Sequence, residues 1–224
     1  MKTLKNDQTG NVLLIILAAI AVVAMLTYAV TQSTEQQSDT LTRQTIDDGI
    51  SRVMTQAATL SSALQQLAMN GEDPATLYST LSVLRPGEAG FETAPSNLKI
   101  YHPLGGGVQY MSGSSSGTQT VATDFGINRG SIVTGVGATD AVVGDILFTA
   151  KISSAAFCGR INQILNGSTT VPELVTADFD TLFTAGTATT ITAANCAACV
   201  GAVQLCVSNT GATAWGYYSV LWPG

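Results

Sequence analysis

Charge is what this sequence has least of. Only 11% of its 224 residues are Asp, Glu, Lys or Arg, less than half the roughly 25% of an ordinary soluble domain. The scarcity is lopsided, with nine basic residues against fifteen acidic ones and a net charge of −6. A negative chain without a basic cluster argues against nucleic-acid binding, whose affinity comes from neutralising phosphates. Histidine occurs once, at His102. Gly113–Gly117 (GSSSG) formally matches the G-x-S-x-G nucleophile elbow with Ser115 as nucleophile, but that chemistry needs a histidine downstream and His102 lies upstream. The segment therefore reads as a Gly/Ser loop, and His102, between Tyr101 and Pro103, as a strand-end residue rather than a base. Asp178 and Asp180, with Glu173 nearby, lack the further acidic residues and central glycine of a calcium site, so they read as solvated carboxylates in a loop. No catalytic group, metal or cofactor is expected.

What the chain has is one long apolar run. Val12 to Val30 (VLLIILAAIAVVAMLTYAV) contains no charge, Gly or Pro, with Thr27 and Tyr28 as its only polar interruptions. Nineteen residues at about 1.5 Å each span roughly 30 Å, the thickness of a bilayer core. The run is longer than a signal peptide's apolar region, and Thr31 to Thr34 offer no small-x-small cleavage site. Lys2 and Lys5 precede it and the next basic residue is Arg43. The positive-inside rule then places the N-terminus in the cytoplasm and residues 31 onward outside.

From Gln32 to Asn70, Leu41, Ile46, Ile50, Val53, Met54, Ala57, Leu60, Leu64, Leu67 and Ala68 recur mostly three and four apart, the spacing of one helical face. Asn70, Gly71 and Pro74 end the pattern. A helix unbroken from Val12 to Met69 would have 58 residues and reach roughly 87 Å. The alternative is an anchor followed by a separate helix.

The leader MKTLKNDQTG, Gly10 before Asn11, the apolar run and its amphipathic continuation together resemble type IV pilins and pseudopilins. They are most similar to an alphaproteobacterial-type group that begins with a Gly-Asn-Val-Leu run. The resemblance covers about residues 1–70. It implies that a prepilin peptidase cuts after Gly10 and that Asn11 becomes the mature N-terminus, leaving seven basic against fourteen acidic residues. Two departures stand out: Ile15 occupies the place of the family's glutamate, and Gln32 that of its helix-loosening proline. The family's glutamate pairs with a neighbour's N-terminal amine, so Ile15 implies a minor or tip component rather than the body of a filament. In the head, Cys158, Arg160, Ile161 and Asn162, and the closing Tyr217–Leu221 segment, are also similar to those proteins.

Asp73 caps an expected short helix carrying Leu77, Leu81 and Leu84, and Arg85–Gly87 close it. A loop-like connector reaches about Leu98. Strands are expected at 98–101, 108–111, 118–123, 146–152, 200–207 and 215–222, as a small antiparallel sheet. Alternation in the last would put Trp215 and Tyr217 on one face, Tyr218 and Trp222 on the other. Ser154 caps a helix with Phe157, Cys158, Ile161, Ile164 and Leu165 on one face, closed by Asn166 and Gly167. Thr184–Ala194 reads as an exposed loop. Cys158, Cys196, Cys199 and Cys206 form an even set in the exported part, which favours two disulfides with three possible connectivities. One bond is expected from Cys158 to the loop holding the other three. The Cys196-x-x-Cys199 spacing also matches a redox or metal motif, but neither a second such pair nor a βαβ context accompanies it.

The expected fold is therefore α+β: a long hydrophobic then amphipathic N-terminal helix packed on a small antiparallel-sheet head with a short additional helix. The divisions are 1–10 leader, 11–70 helix, 71–97 short helix and connector, and 98–224 head. The expected function is that of a pilin-like or pseudopilin-like structural subunit of a type IV pilus or type II secretion-like filament. Val12, Ile15 and Val30 lie in its membrane or filament helix. The partners are other pilin subunits, the prepilin peptidase and the inner membrane. The head would be periplasmic, or extracellular once assembled. The alternative is an exported ligand-binding domain or enzyme tethered by a signal anchor.

Overall fold

The computed structural model describes residues 23–25, 44, 46–69, 86–87, 90–110, 122–137, 144–184 and 188–224. Two compact units divide the chain, Met1–Thr45 and Ile46–Gly224. In the first, residues 23–25 and Gln44 are helical. Gly10, Asn11, Val12, Ile15 and Val30 lie outside the described residues, as do Ser115 and the short helix expected after Asp73.

The second unit starts with helix α1, residues 46–69. Its three-and-four spacing is what buries it: Ile50, Val53, Ala57, Leu60, Leu64 and Leu67 are each at most 1% exposed. The opposite face is polar, with Arg52 paired to Asp48 one turn earlier and Ser51 and Thr59 hydrogen-bonded back to the carbonyls of Asp47 and Thr55. After a 3-10 turn at Ser96–Leu98 come β1 (Ala122–Val133), β2 (Asp145–Ile152), α2 (Ala155–Asn166), β3 (Glu173–Leu174), α3 (Thr176–Leu182), β4 (Thr190–Ile191), a 3-10 turn at Ala197–Cys199, β5 (Gln204–Asn209) and β6 (Trp215–Trp222).

The six strands form one sheet in the order β3-β5-β6-β2-β1-β4. β1–β2, β2–β6 and β5–β6 run antiparallel. The outermost pairs, β3 with β5 and β4 with β1, run parallel. Alternation divides the sheet into two buried faces. Ile146, Phe148, Ala150, Ile152, Cys206 and Tyr217 pack with α1 and with Cys158 and Ile161 of α2. Leu147, Leu205, Val207, Tyr218 and Val220 pack with Phe179, Leu182 and Phe183 of the α3 segment and with Ile191, Cys196 and Cys199.

This corrects the expected fold. The sheet is neither small nor purely antiparallel, both of its faces are covered, and the architecture is mixed α/β. Among the described residues no helix is long and apolar enough to cross a membrane, because α1 is apolar on one stripe only. The expected helix-on-small-sheet arrangement is therefore set aside.

The local corrections have physical causes. Residues 98–101 and 108–110 are not strands: Gly106 N donates to Lys99 O and Val108 N to Ile100 O, closing a compact turn. Gly105 and Gly106 permit it, since a Cβ on either would run into the backbone of Lys99 or Ile100. β1 begins where a strand was expected but extends to Val133. Its pairing slips between Thr123 and Gly126 and between Arg129 and Ser131, and such bulges blur a period of two. β5 starts at Gln204 rather than Val200. Within the Thr-rich segment, Ile191 is fully buried and pairs with Val133. Asp178 and Asp180 stand on α3 rather than in a loop. Trp222 packs on the same core as Trp215, not with Tyr218, because the β2–β6 register shifts between Ile146 and Leu147.

Candidate functional site

The most constructed polar site surrounds α2. Ser154 begins this helix, its hydroxyl accepting from Phe157 N, and Gly167 ends it in the left-handed conformation at φ 78°, where a side chain would be strained. One face of α2 docks on the edge of β5. Cys158 is joined to Cys206 by a disulfide, and both residues are fully buried. One turn on, Asn162 lies against the same residue's backbone. Its Oδ1 accepts from Cys206 N at 2.9 Å and its Nδ2 donates to Cys206 O at 2.8 Å. The same Nδ2 donates to Thr170 O at 2.9 Å. A side-chain amide thus takes the place of a neighbouring strand, satisfying a sheet edge that would otherwise present bare donors and acceptors.

Arg160 leaves the other side of α2. Its Nε and Nη2 each lie 3.0 Å from the Asp47 carboxylate on α1, a two-pronged pair, and Nη1 donates to Gln163 Oε1 at 2.8 Å. Asp47 raises the Arg160 pKa above its ordinary value, first through the hydrogen bonds and then through charge. Both partners are more than 40% exposed, so the pair orients α2 on α1 more than it stabilises the fold. Beside it Ala155, Ala156, Gly159, Arg160, Gln163 and Thr169 line an open depression of about 460 Å³. A Cβ on Gly159 would come within 2.9 Å of Thr169 O. The depression offers the Thr169 hydroxyl and the Gln163 amide, whose oxygen already accepts from Arg160, and the one charged group in its lining is paired with Asp47.

The second disulfide, Cys196–Cys199, lies on the opposite face of the sheet. At 3% and 0% exposure its sulfurs are held inside the α3 core. Asp178 accepts from Thr189 Oγ1 at 3.0 Å and from Asn195 Nδ2 at 3.1 Å, bracing the Thr-rich segment rather than facing solvent. His102 Nδ1 accepts from Leu104 N at 3.2 Å within its own turn. Among the described residues no three His, Cys, Asp or Glu side chains are placed to share a metal ion.

Sequence reasoning missed Asp145. It is 1% exposed, and its two oxygens accept from Val133 N at 2.8 Å and Gly224 N at 2.9 Å. Burial pushes its pKa up, partly offset by those two hydrogen bonds. It joins the start of β2 to the end of β1 and to the residues following β6. A lone Asp before the apolar run Ile146–Phe148 was the only signal in the sequence. No family model, curated protein or solved structure matches this chain.

Proposed function

We propose that the chain is an exported, pilin-like or pseudopilin-like structural subunit that works by assembly rather than by catalysis. One observation carries the reading. A short leader with Lys2 and Lys5 ends in Gly10, and an uncharged nineteen-residue run follows within two residues. The reading takes from the family the processing and anchoring of the N-terminus. The head has its own six-stranded mixed architecture. Two disulfides support the exported assignment, since such bonds persist in oxidising compartments. In this reading the inner membrane holds the chain by a single pass with the N-terminus inside, and other pilin subunits and the prepilin peptidase are its partners.

Ile15 makes the subunit a minor or tip component. In a homopolymer the Asn11 amine would be buried without a carboxylate, and an unpaired buried charge is costly. A neighbouring pilin that retains the glutamate removes that cost. Mass spectrometry of the mature chain tests the processing: a terminus at Asn11 is expected, and one at Met1 or beyond Val30 would refute it. Coexpression with a prepilin peptidase and assembly machinery, but no other pilin, tests the position. The chain should stay in the membrane, and long filaments made of it alone would overturn the tip assignment.

A further inference from the structure

The layer between the sheet and α3 holds a small group of buried polar side chains contributed by β1, β2 and β6. Asn128 on β1 stands opposite Leu147, and Leu147 opposite Val220. One step along, Gly126, Thr149 and Tyr218 stand across the same three strands. Leu147, Tyr218 and Val220 belong to the α3 core, so strand alternation turns Asn128 and Thr149 to that face as well. Asn128 and Tyr218 are fully buried and Thr149 is 3% exposed.

Half of the Asn128 amide is accounted for. Its Nδ2 donates to Leu182 O at 2.9 Å, with Thr181 O at 3.5 Å, at the C-terminal end of α3. Turning the amide over would set its oxygen against those carbonyls, so the assignment is fixed by its neighbours. Asn128 Oδ1 has no hydrogen-bond partner among the described residues, and neither has the Tyr218 hydroxyl. The amide oxygen can only accept, whereas the hydroxyl can donate as well as accept. Buried polar groups are almost always paired, with protein or with ordered water. Gly126, beside Thr149 on this face, contributes no side chain, and a Cβ there would come within 3.0 Å of Thr149 Oγ1. At the neighbouring Gly216 the Phe183 ring occupies the position a Cβ would take.

We propose that this layer contains an internal hydration site, at which ordered water accepts the Tyr218 O–H and donates to Asn128 Oδ1, with Thr149 Oγ1 as a third polar neighbour. Internal waters typically hold two to four such partners. The water links β6 to the amide that holds down the end of α3, and so couples the sheet to the helix covering it.

Tyr218→Phe decides whether the layer is wet, because it removes the hydroxyl and keeps the ring. In the full chain in detergent, loss of a satisfied hydrogen bond lowers Tm by about 2–4 °C. A dry, unpaired hydroxyl would be relieved by the substitution, so an unchanged or raised Tm would overturn the proposal. Repeating Tyr218→Phe in an Asn128→Leu background tests the sharing. The shift should fall to less than half if one hydration site serves both residues, and an undiminished shift would refute the bridge. Should Asn128→Leu not fold, a long-lived water NOE to the Tyr218 ring, present in the wild type and lost in Tyr218→Phe, supports the site. Its absence from the wild type overturns it.

Discussion

Replacing Cys158 and Cys206 together with alanine should cost the head far more than the same change at Cys196 and Cys199. The first bond joins residues 48 apart and the second residues 3 apart. In the chain-entropy view, closing the larger loop removes enough freedom from the unfolded ensemble to stabilise the fold by about 4 kcal/mol, against about 2 kcal/mol for the smaller. The larger loss would be a large share of the roughly 5–15 kcal/mol of a typical domain. Both pairs are buried, Cys158 and Cys206 where α2 meets β5 and Cys196 and Cys199 in the α3 core, so the voids left by alanine cost both variants and the gap rests on loop length. Equilibrium urea unfolding of both double variants, followed by near-UV circular dichroism without reductant, measures the difference. The Cys158/Cys206 variant should show a midpoint lower by about 2 M, given typical slopes of 1–3 kcal/mol/M. Its slope should also rise, because an unfolded chain without the cross-link exposes more surface. Equal losses for the two variants, or a greater loss from Cys196/Cys199, would refute the reasoning.

Asn162→Ala should destabilise the head by about 2–4 kcal/mol, because it leaves both backbone groups of buried Cys206 without their amide partner; a loss under 1 kcal/mol in urea unfolding would show that water takes the amide's place. Gly216→Ala should cost about 1–3 kcal/mol, since the new methyl would overlap the Phe183 ring, and pairing it with Phe183→Leu should recover part of that loss in the same assay. Asp145 carries a raised pKa, so its contribution to stability is fully present below the unfolded pKa and lost as pH rises through the folded one. The urea midpoint of the wild type, measured relative to Asp145→Asn between pH 7 and pH 3, should therefore increase toward acid, and a difference that does not change with pH would contradict the assignment.

Local patterning specifies much of the second unit. The three-and-four spacing from Ile50 to Leu67 specified a buried helical face, and those residues form the core under α1. Ser154 and Gly167 marked the two ends of α2, and β6 begins and ends at the tryptophans that bounded its apolar run. These signals are local, because caps and periodicity depend on backbone geometry within a few residues. The sequence likewise restricted the cysteines to a few pairings, but only the juxtaposition of α2 with β5 selected Cys158 with Cys206. Contacts between distant segments also decided the sheet. β3 and β4 are two residues each and parallel to their neighbours, too short to leave a period. The length of β1 was hidden by the bulges at its glycines. Asn162, Asp145 and Asn128 are polar residues whose place in the interior depends on groups 44, 79 and 54 residues away in the chain. Local propensity reads such residues as surface, and only the fold that brings the backbone donors and acceptors to them makes their burial affordable.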